Sequence, residues 1–332
     1  MNKKQLFSIL QVIVSVSLLV ILFSRIDIES FLDLLARIRP AYFFLGVLCY
    51  FLSMVIISFR WLFIVRTANE HGDIFQLVKI NFVGSFFSMF LPTAAGGDVA
   101  RMYESSRRGM VGTNAVSTVL LDRAIGLISL VLISIAALLA GYRYLGVLSL
   151  VYLVLGLAVA FGVSWRLFFN LDLIHRLKVV FQMPLLVRVE PTVKKLYLSL
   201  YELQLQPGLL LSTLAVSIIA QVIEISSAVL LARSLGLDVP VFYFFTFVPL
   251  IWLITMVPVS LNGLGIREGA FAFFFSQIGV VSTAAVSLSL LVYACRLLAG
   301  ISGGFFFLGS SMKGSFRNQS EGALGYEETH EP

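Results

Sequence analysis

Charge is scarce in this chain of 332 residues, where Asp, Glu, Lys and Arg together make up 13%, against about 25% in ordinary soluble domains. With 59% hydrophobic residues and a mean hydropathy of +0.96, there is too little polar surface for a water-soluble domain. Cysteine is nearly missing: Cys49 and Cys295 both lie inside apolar runs, which excludes a disulfide framework, a metal knuckle or a redox pair by spacing. The three histidines, His71, His175 and His330, are scattered through polar segments and sit near neither cysteine, so no metal site and no cofactor is expected. A phosphate-binding P-loop is lacking as well, so energy for any transport would come from a gradient, a partner or lipid supply. No basic–aromatic module supports nucleic-acid binding. The net charge of +6 instead fits cytoplasmic loops and contacts with acidic lipid heads.

What the chain has in abundance is apolar runs long enough to cross a bilayer as helix, which takes roughly 18 or more residues. The fold class expected is all-α: a polytopic helical membrane protein with six to eight transmembrane helices. Lys3-Lys4 and the run Leu6–Phe23 read as an uncleaved first span, because Ser24–Asp27 is not a small-x-small cleavage site. Further spans are expected at Ala41–Val65, Val116–Ala140, Tyr144–Trp165 (after a turn at Gly141–Arg143) and Gly208–Ala232. The stretch Ala270–Gly309 is too long for one span and divides at Ser276–Gly279 into a short arm and a span from about Thr283. The transmembrane domain covers residues 1–312, with a first half to about 165, a basic, amphipathic cytoplasmic loop at 166–207 and a second half from 208. A disordered cytoplasmic tail is expected at 313–332.

Two short stretches share one grammar. Phe90–Arg108 ends an apolar run at Pro92, turns through Gly96-Gly97 and restarts at Asp98 with Arg101 one turn on. Val257–Phe271 passes Pro258, turns through Asn262, Gly263 and Gly265, and restarts at Arg267-Glu268. Each is followed by an arginine inside an apolar run, Arg123 and Arg296. Glycine lets backbone approach a ligand closely, and helix starts offer unpaired N–H groups to anions. Asp98 is expected to cap the new helix. Ile74–Leu91, interrupted by polar residues, reads as a helix lining a protein interior or as a re-entrant arm, and Phe242–Val257 matches it. The two together form an inverted repeat, the architecture of alternating-access carriers.

Orientation follows from the basic residues. With the N-terminus inside and both elements re-entrant, the cytoplasmic side receives Lys3, Lys4, Arg66, Lys79, Arg101, Arg107, Arg108, the basic residues of the long loop, Lys313 and Arg317. The outer side receives Arg25, Arg37, Arg39, Arg143, Arg233 and Arg267. This positive-inside bias supports both termini in the cytoplasm, and the small soluble fraction with no eukaryotic targeting signal favours the cell (inner) membrane of a prokaryote.

Charges within spans need partners or a function. One reading makes Asp122, Arg123, Glu224 and Arg296 structural ties. The other makes Arg101, Arg123, Arg267 and Arg296 the lining of a polar cavity that holds a lipid phosphate or another anionic head. The candidate site is therefore Gly96, Gly97, Asp98, Arg101, Asp122, Arg123, Glu224, Asn262, Gly263, Gly265, Arg267, Glu268 and Arg296. Arg60, near the end of its span, is expected to snorkel to water. Asp98 or Glu268 as a catalytic base lacks an accompanying histidine, serine elbow or metal set, so the residues argue for a transporter rather than an enzyme.

FLPTAAGGDVARMYESSRRG, VLLDRAIGL and PVSLNGLGIREGAF together resemble the transmembrane-region family of lysylphosphatidylglycerol synthases, also described as flippase-like or UPF0104 membrane proteins. The resemblance runs from about residue 5 to 312. In the two-part synthases of this family a membrane portion moves aminoacylated lipid between leaflets, and a separate C-terminal domain makes that lipid. With about twenty residues after its last span, the chain is expected to lack that domain. The resemblance thus implies translocation of an anionic or aminoacylated phospholipid, or of a polyprenyl- or sugar-linked lipid. Thr93-Ala94-Ala95 stand where many relatives carry a more polar or basic residue, which bears on the lipid recognised. The alternatives are a scaffold for a lipid- or glycan-modifying enzyme that docks on the 166–207 loop, or a part of a phosphatidylglycerol lysyltransferase system. Expected partners are membrane lipids, with a separate lipid-modifying enzyme and self-association compatible with this reading.

Overall fold

The computed structural model describes residues 36–68, 70, 72–90, 96–145, 207–256 and 260–327, with a few isolated positions elsewhere. The expected first span, the span at 144–165 beyond residue 145, and the basic loop at 166–206 lie outside the described residues. Within them the chain is helical, with no strand. Eight α-helices follow in order: α1 Pro40–Thr67, α2 Ile74–Phe90, α3 Gly96–Arg107, α4 Gly112–Leu145, α5 Pro207–Ser234, α6 Val241–Thr255, α7 Ile266–Ser276 and α8 Ser282–Glu327. A 3-10 turn at Leu261–Gly263 precedes α7.

Four of these, over Pro40–Thr67, Gly112–Ala140, Gly208–Ser234 and Ser282–Gly309, are long and apolar enough to span a membrane. Apolarity runs all round them rather than along a stripe, as it does where lipid or protein covers every face. The expected turn at Gly141–Arg143 does not occur: α4 runs through it to Leu145. A single glycine costs only about 1 kcal/mol against alanine inside a helix, too little to end one unaided. The break at Ser276–Gly279 falls where the sequence predicts. The last helix continues to Glu327, past residue 313, where the sequence predicts the polar tail to begin.

The described helices fall into two sets, α1–α4 and α5–α8, and backbone hydrogen bonds give their register. In α3, Gly109 N–H donates to Ser106 O and Met110 N–H to Ser105 O; in α7, Gly279 N–H donates to Ser276 O and Val280 N–H to Phe275 O. Both glycines have positive φ, +100° and +83°, which closes a Schellman cap that glycine adopts without a Cβ penalty. An offset of 170 residues carries Gly109 onto Gly279 and Asp98 onto Glu268. The arginines do not coincide: the same offset puts Arg101 on Phe271 and Arg123 on Tyr293. What repeats is an acid in the first turn and a glycine stop, both demanded by helix termini.

The repeat is inverted. Helices α1 and α5 occupy equivalent places and run antiparallel. Arg39 N–H at the start of α1 donates to Ser234 O at the end of α5, and Ser227 Oγ donates to Gly46 O. At the other end, Trp61, Ile64 and Val65 pack with Leu209, Leu210 and Leu214.

Each Pro/Gly element is a helical hairpin. Gly84 of α2 lies against Gly97 and Arg101 of α3, while the start of α2 and the end of α3 share a cleft lined by Gln76, Ile80, Ser105 and Arg108. In the second hairpin Phe244 and Phe247 of α6 pack edge-on or tilted against Phe274 and Phe275 of α7 with ring centroids 5.3–5.5 Å apart. At 12 and 11 residues, α3 and α7 fall short of the roughly 20 residues of a full crossing. The hairpins interlock, since α2 packs on α8 of the other half and α6 packs on α4. Gly300, Gly303 and Gly304 form the α8 face of the first contact, and a Cβ on Gly303 would overlap the Phe82 carbonyl. Small residues let helix backbones approach closely, and of the three Gly303 gives the closest approach.

Candidate functional site

Where the two halves meet, one cavity of about 390 Å³ opens between all eight helices except the far ends of α6 and α7. Its lining follows helical spacing on each element: Tyr50, Ser53, Ile57 and Arg60 on α1; Asn81, Gly84, Ser85 and Ser88 on α2; Asp122, Arg123 and Gly126 on α4; Gln221 and Glu224 on α5; Tyr293 and Arg296 on α8. The hairpins contribute Gly97, Asp98 and Arg101 from α3, then Asn262 and Arg267 from around the start of α7.

Nine of the thirteen candidate residues therefore line this cavity. Gly96, Gly263, Gly265 and Glu268 do not, and each has a structural occupation. Gly96 is buried at the first position of α3. Gly263 and Gly265 have φ of +77° and +82°, in the left-handed region that glycine enters without strain. Glu268, fully buried, accepts from Gly265 N–H at 2.7 Å and from Arg267 Nε at 3.0 Å, and forms a further bond with the second Arg267 nitrogen. It therefore holds the start of α7 and orients Arg267, whose guanidinium lies 4.1 Å from the Tyr293 ring centroid. Asn262 also has positive φ, +53°, and donates from Nδ2 to the Ser88 carbonyl, tying the second loop to α2.

Asp98 does not cap its helix. Gly96 already begins α3, and the Asp98 carboxylate instead pairs with Arg123 and, at 3.5 Å, with Arg101. Asp122 is the hub of the first half. It accepts from Arg60 Nε at 2.7 Å and from an Arg101 terminal nitrogen at 2.9 Å, with its side chain 1% exposed. Arg60 was expected to snorkel to water and does not: it is buried, and another of its nitrogens donates to Ser217 Oγ at 2.6 Å. The Asp122 carboxylate, at hydrogen-bond distance, outcompetes an interface that the side chain would have had to stretch to reach. The ion pairs among the described residues are not the expected Arg123 and Arg296 with Asp122 and Glu224 but a chain running Arg60–Asp122–Arg101–Asp98–Arg123. Arg101 also stacks on Trp61, 4.2 Å from the ring centroid.

The hydrogen-bonded chain continues from Ser217 to Ser129 at 2.6 Å and from Gln221 Nε2 to Ser129 Oγ and the Gly126 carbonyl, each at 2.7 Å. Sequence reading missed Arg60, Ser217, Gln221 and Tyr293. The signal for two of them was present: Ser217, Gln221 and Glu224 fall at i, i+4 and i+7, one polar stripe on an apolar span.

Five arginines converge here with Asp98, Asp122, Glu224 and the adjoining Glu268, an excess of one positive charge. Among the described residues, Arg296 and Glu224 make no ion pair within 4 Å. Such an arrangement can hold an anion, and it draws on both halves of an inverted repeat. A family model described as lysylphosphatidylglycerol synthase TM region matches residues 8–303.

The chain belongs to that family. It is a multi-pass, membrane-embedded protein of lipid-related systems, on the family and on its four long apolar helices. A comparison with curated proteins found no match. Within this family's chain, the motif residues quoted above divide into a ring of cavity charges and a set of turn-forming glycines that shape the hairpins.

Proposed function

We propose that this protein of the lysylphosphatidylglycerol synthase TM-region family translocates a lipid between leaflets, with the lipid's anionic head group received in the cavity. The lipid is an anionic or aminoacylated phospholipid, or a polyprenyl- or sugar-linked lipid. The observation that carries this reading is the convergence of Arg101 and Arg123 from one half with Arg267 and Arg296 from the other on a single cavity. A volume of about 390 Å³ is in the range of small-ligand sites and suits a head group whose acyl chains stay in the bilayer. An inverted repeat supplies two exchangeable states of similar energy, since the same packing can be made from either side. The interlocked hairpins are the elements that would rock.

In this reading the protein lies in the cell (inner) membrane with both termini cytoplasmic, as the distribution of lysine and arginine favours. Its partners are membrane lipids and an enzyme that modifies them. The residues act by binding and charge complementarity, with no group transfer.

Purified protein in liposomes with labelled phosphatidylglycerol, its lysyl derivative or a polyprenyl phosphate provides the test, read by leaflet accessibility. Movement of at least one of these lipids is expected. Arg296→Ala should lower it tenfold or more while the protein stays folded, because among the described residues Arg296 makes no ion pair within 4 Å. No movement of any of the three by intact protein would overturn the reading.

A further inference from the structure

Two of the charges that face the cavity stand apart from the rest. Arg60 and Arg101 share Asp122, Arg123 pairs with Asp98, and Arg267 with Glu268. Arg296 of α8 and Glu224 of α5 line the same cavity, and among the described residues neither has an ion-pair partner within 4 Å. The other cavity arginine beside them on α1 is Arg60. Arg60 is already committed to Asp122 and Ser217.

We infer that Glu224 is a proton-binding site linked to occupancy of Arg296, so that an anionic head group enters the cavity together with one proton. The inference deepens the translocation reading and rests on it. A carboxylate on an apolar span holds its charge at a cost unless a cation faces it. With the cavity empty, Arg296 shares the cavity with Glu224 and, among the described residues, is paired to no other carboxylate, so its charge is available to offset part of that cost. A phosphate at Arg296 neutralises that charge and adds a second negative charge, and both effects favour the protonated acid. The remaining groups facing Glu224 do not substitute for Arg296. On α1 these are Tyr50 and the engaged Arg60. On α4 they are Asp122 and Arg123, each bound in the ladder. Beside Arg296 on α8 stand Tyr293, beneath Arg267, and the buried thiol of Cys295. The hairpin charges Asp98, Arg101 and Arg267 are each paired, and α6 lines the cavity with Trp252 and Thr255, which do not titrate. Taking the proton with the anion leaves the charge of the occupied cavity equal to that of the empty one. The two arrangements of the repeat can then exchange without moving net charge through the membrane field.

The sign follows from the proton count. The occupied state binds more protons than the empty one, so head-group affinity rises as pH falls, by up to about tenfold per pH unit. Full-length protein in weakly buffered detergent is titrated with glycerophosphoglycerol, a diester that does not itself titrate near neutrality, and released or absorbed protons are measured. Uptake approaching one proton per bound diester is expected from the wild type and none from Glu224→Gln, while Glu224→Asp retains it. In liposomes, an inwardly acid pH gradient should accelerate the wild type's movement of whichever of the three lipids it moves, and Glu224→Gln should lose that acceleration. Size-exclusion profiles of each variant report folding, and Arg296→Ala, which should also abolish the uptake, covers the case of a misfolded Glu224→Gln. Wild-type proton uptake retained by a folded Glu224→Gln, or movement driven by a sodium gradient and indifferent to pH, would overturn the inference. A wild type that moves none of the lipids would instead overturn the translocation reading.

Discussion

Substituting Asp122→Asn removes one charge and leaves two buried guanidiniums facing an amide. Asp122 is 1% exposed, and it accepts from Arg60 at 2.7 Å and from Arg101 at 2.9 Å. Arg101 keeps a weaker partner in Asp98 at 3.5 Å, whereas Arg60 keeps Ser217 alone among the described residues. Asparagine is nearly the same size, so packing contributes little and the loss is electrostatic. Its Oδ1 can accept from one guanidinium, and its NH₂ then points donors at the other. Breaking a buried pair by removing one partner costs about 3–5 kcal/mol, because the survivor stays uncompensated. That shifts the folding equilibrium roughly a hundredfold to several thousandfold, at about 1.4 kcal/mol per factor of ten. Reversible unfolding in mixed micelles with increasing dodecyl sulfate, followed by tryptophan fluorescence, reads the change; Trp61 lies under Arg101. The double substitution Asp122→Leu with Arg60→Met should be milder than Asp122→Asn alone, since exchanging a buried ion pair for apolar residues is often neutral. A midpoint within about 0.5 kcal/mol of wild type for Asp122→Asn, the ordinary scatter of surface changes, would refute the hub.

Two further outcomes follow from packing and from the second half. Gly303→Ala should destabilise by about 1–3 kcal/mol as an overpacked contact, since its Cβ meets the Phe82 backbone; unchanged unfolding would show that α2 and α8 separate without cost. Glu268→Gln should lower stability by about 1–3 kcal/mol, the penalty for a weakened buried charge-assisted hydrogen bond, and should also reduce lipid movement because Arg267 loses its orienting carboxylate. Lost movement with unchanged stability would instead give Glu268 a direct part in binding.

Much of this protein is written in its sequence. Apolar runs on the scale of a bilayer predict helices at α1, α4, α5 and α8, because backbone polar groups in lipid must be satisfied within the segment. The hairpin arms were legible from Pro92, Gly96, Pro258 and Gly265, since proline fixes φ and glycine admits turns closed to other residues, whatever the rest of the fold does. So were Asp122, Arg123 and Arg296, because a charge inside an apolar run stands out against it. What the sequence could not decide is pairing, which depends on which faces meet. Arg60 looks like an interfacial arginine until α1 packs beside α4 and brings Asp122 to it, 62 residues away. Arginine matched to arginine between the halves looked like the repeat, yet the folded register matches Asp98 to Glu268 and Gly109 to Gly279. Helix termini favour an acid in the first turn and a glycine stop in each copy, while the arginines answer to neighbours that differ between the copies. Spacing and hydropathy thus determined the helices and their breaks, and only the tertiary structure decided which charges are ties and which two, Glu224 and Arg296, face the cavity without an ion-pair partner among the described residues.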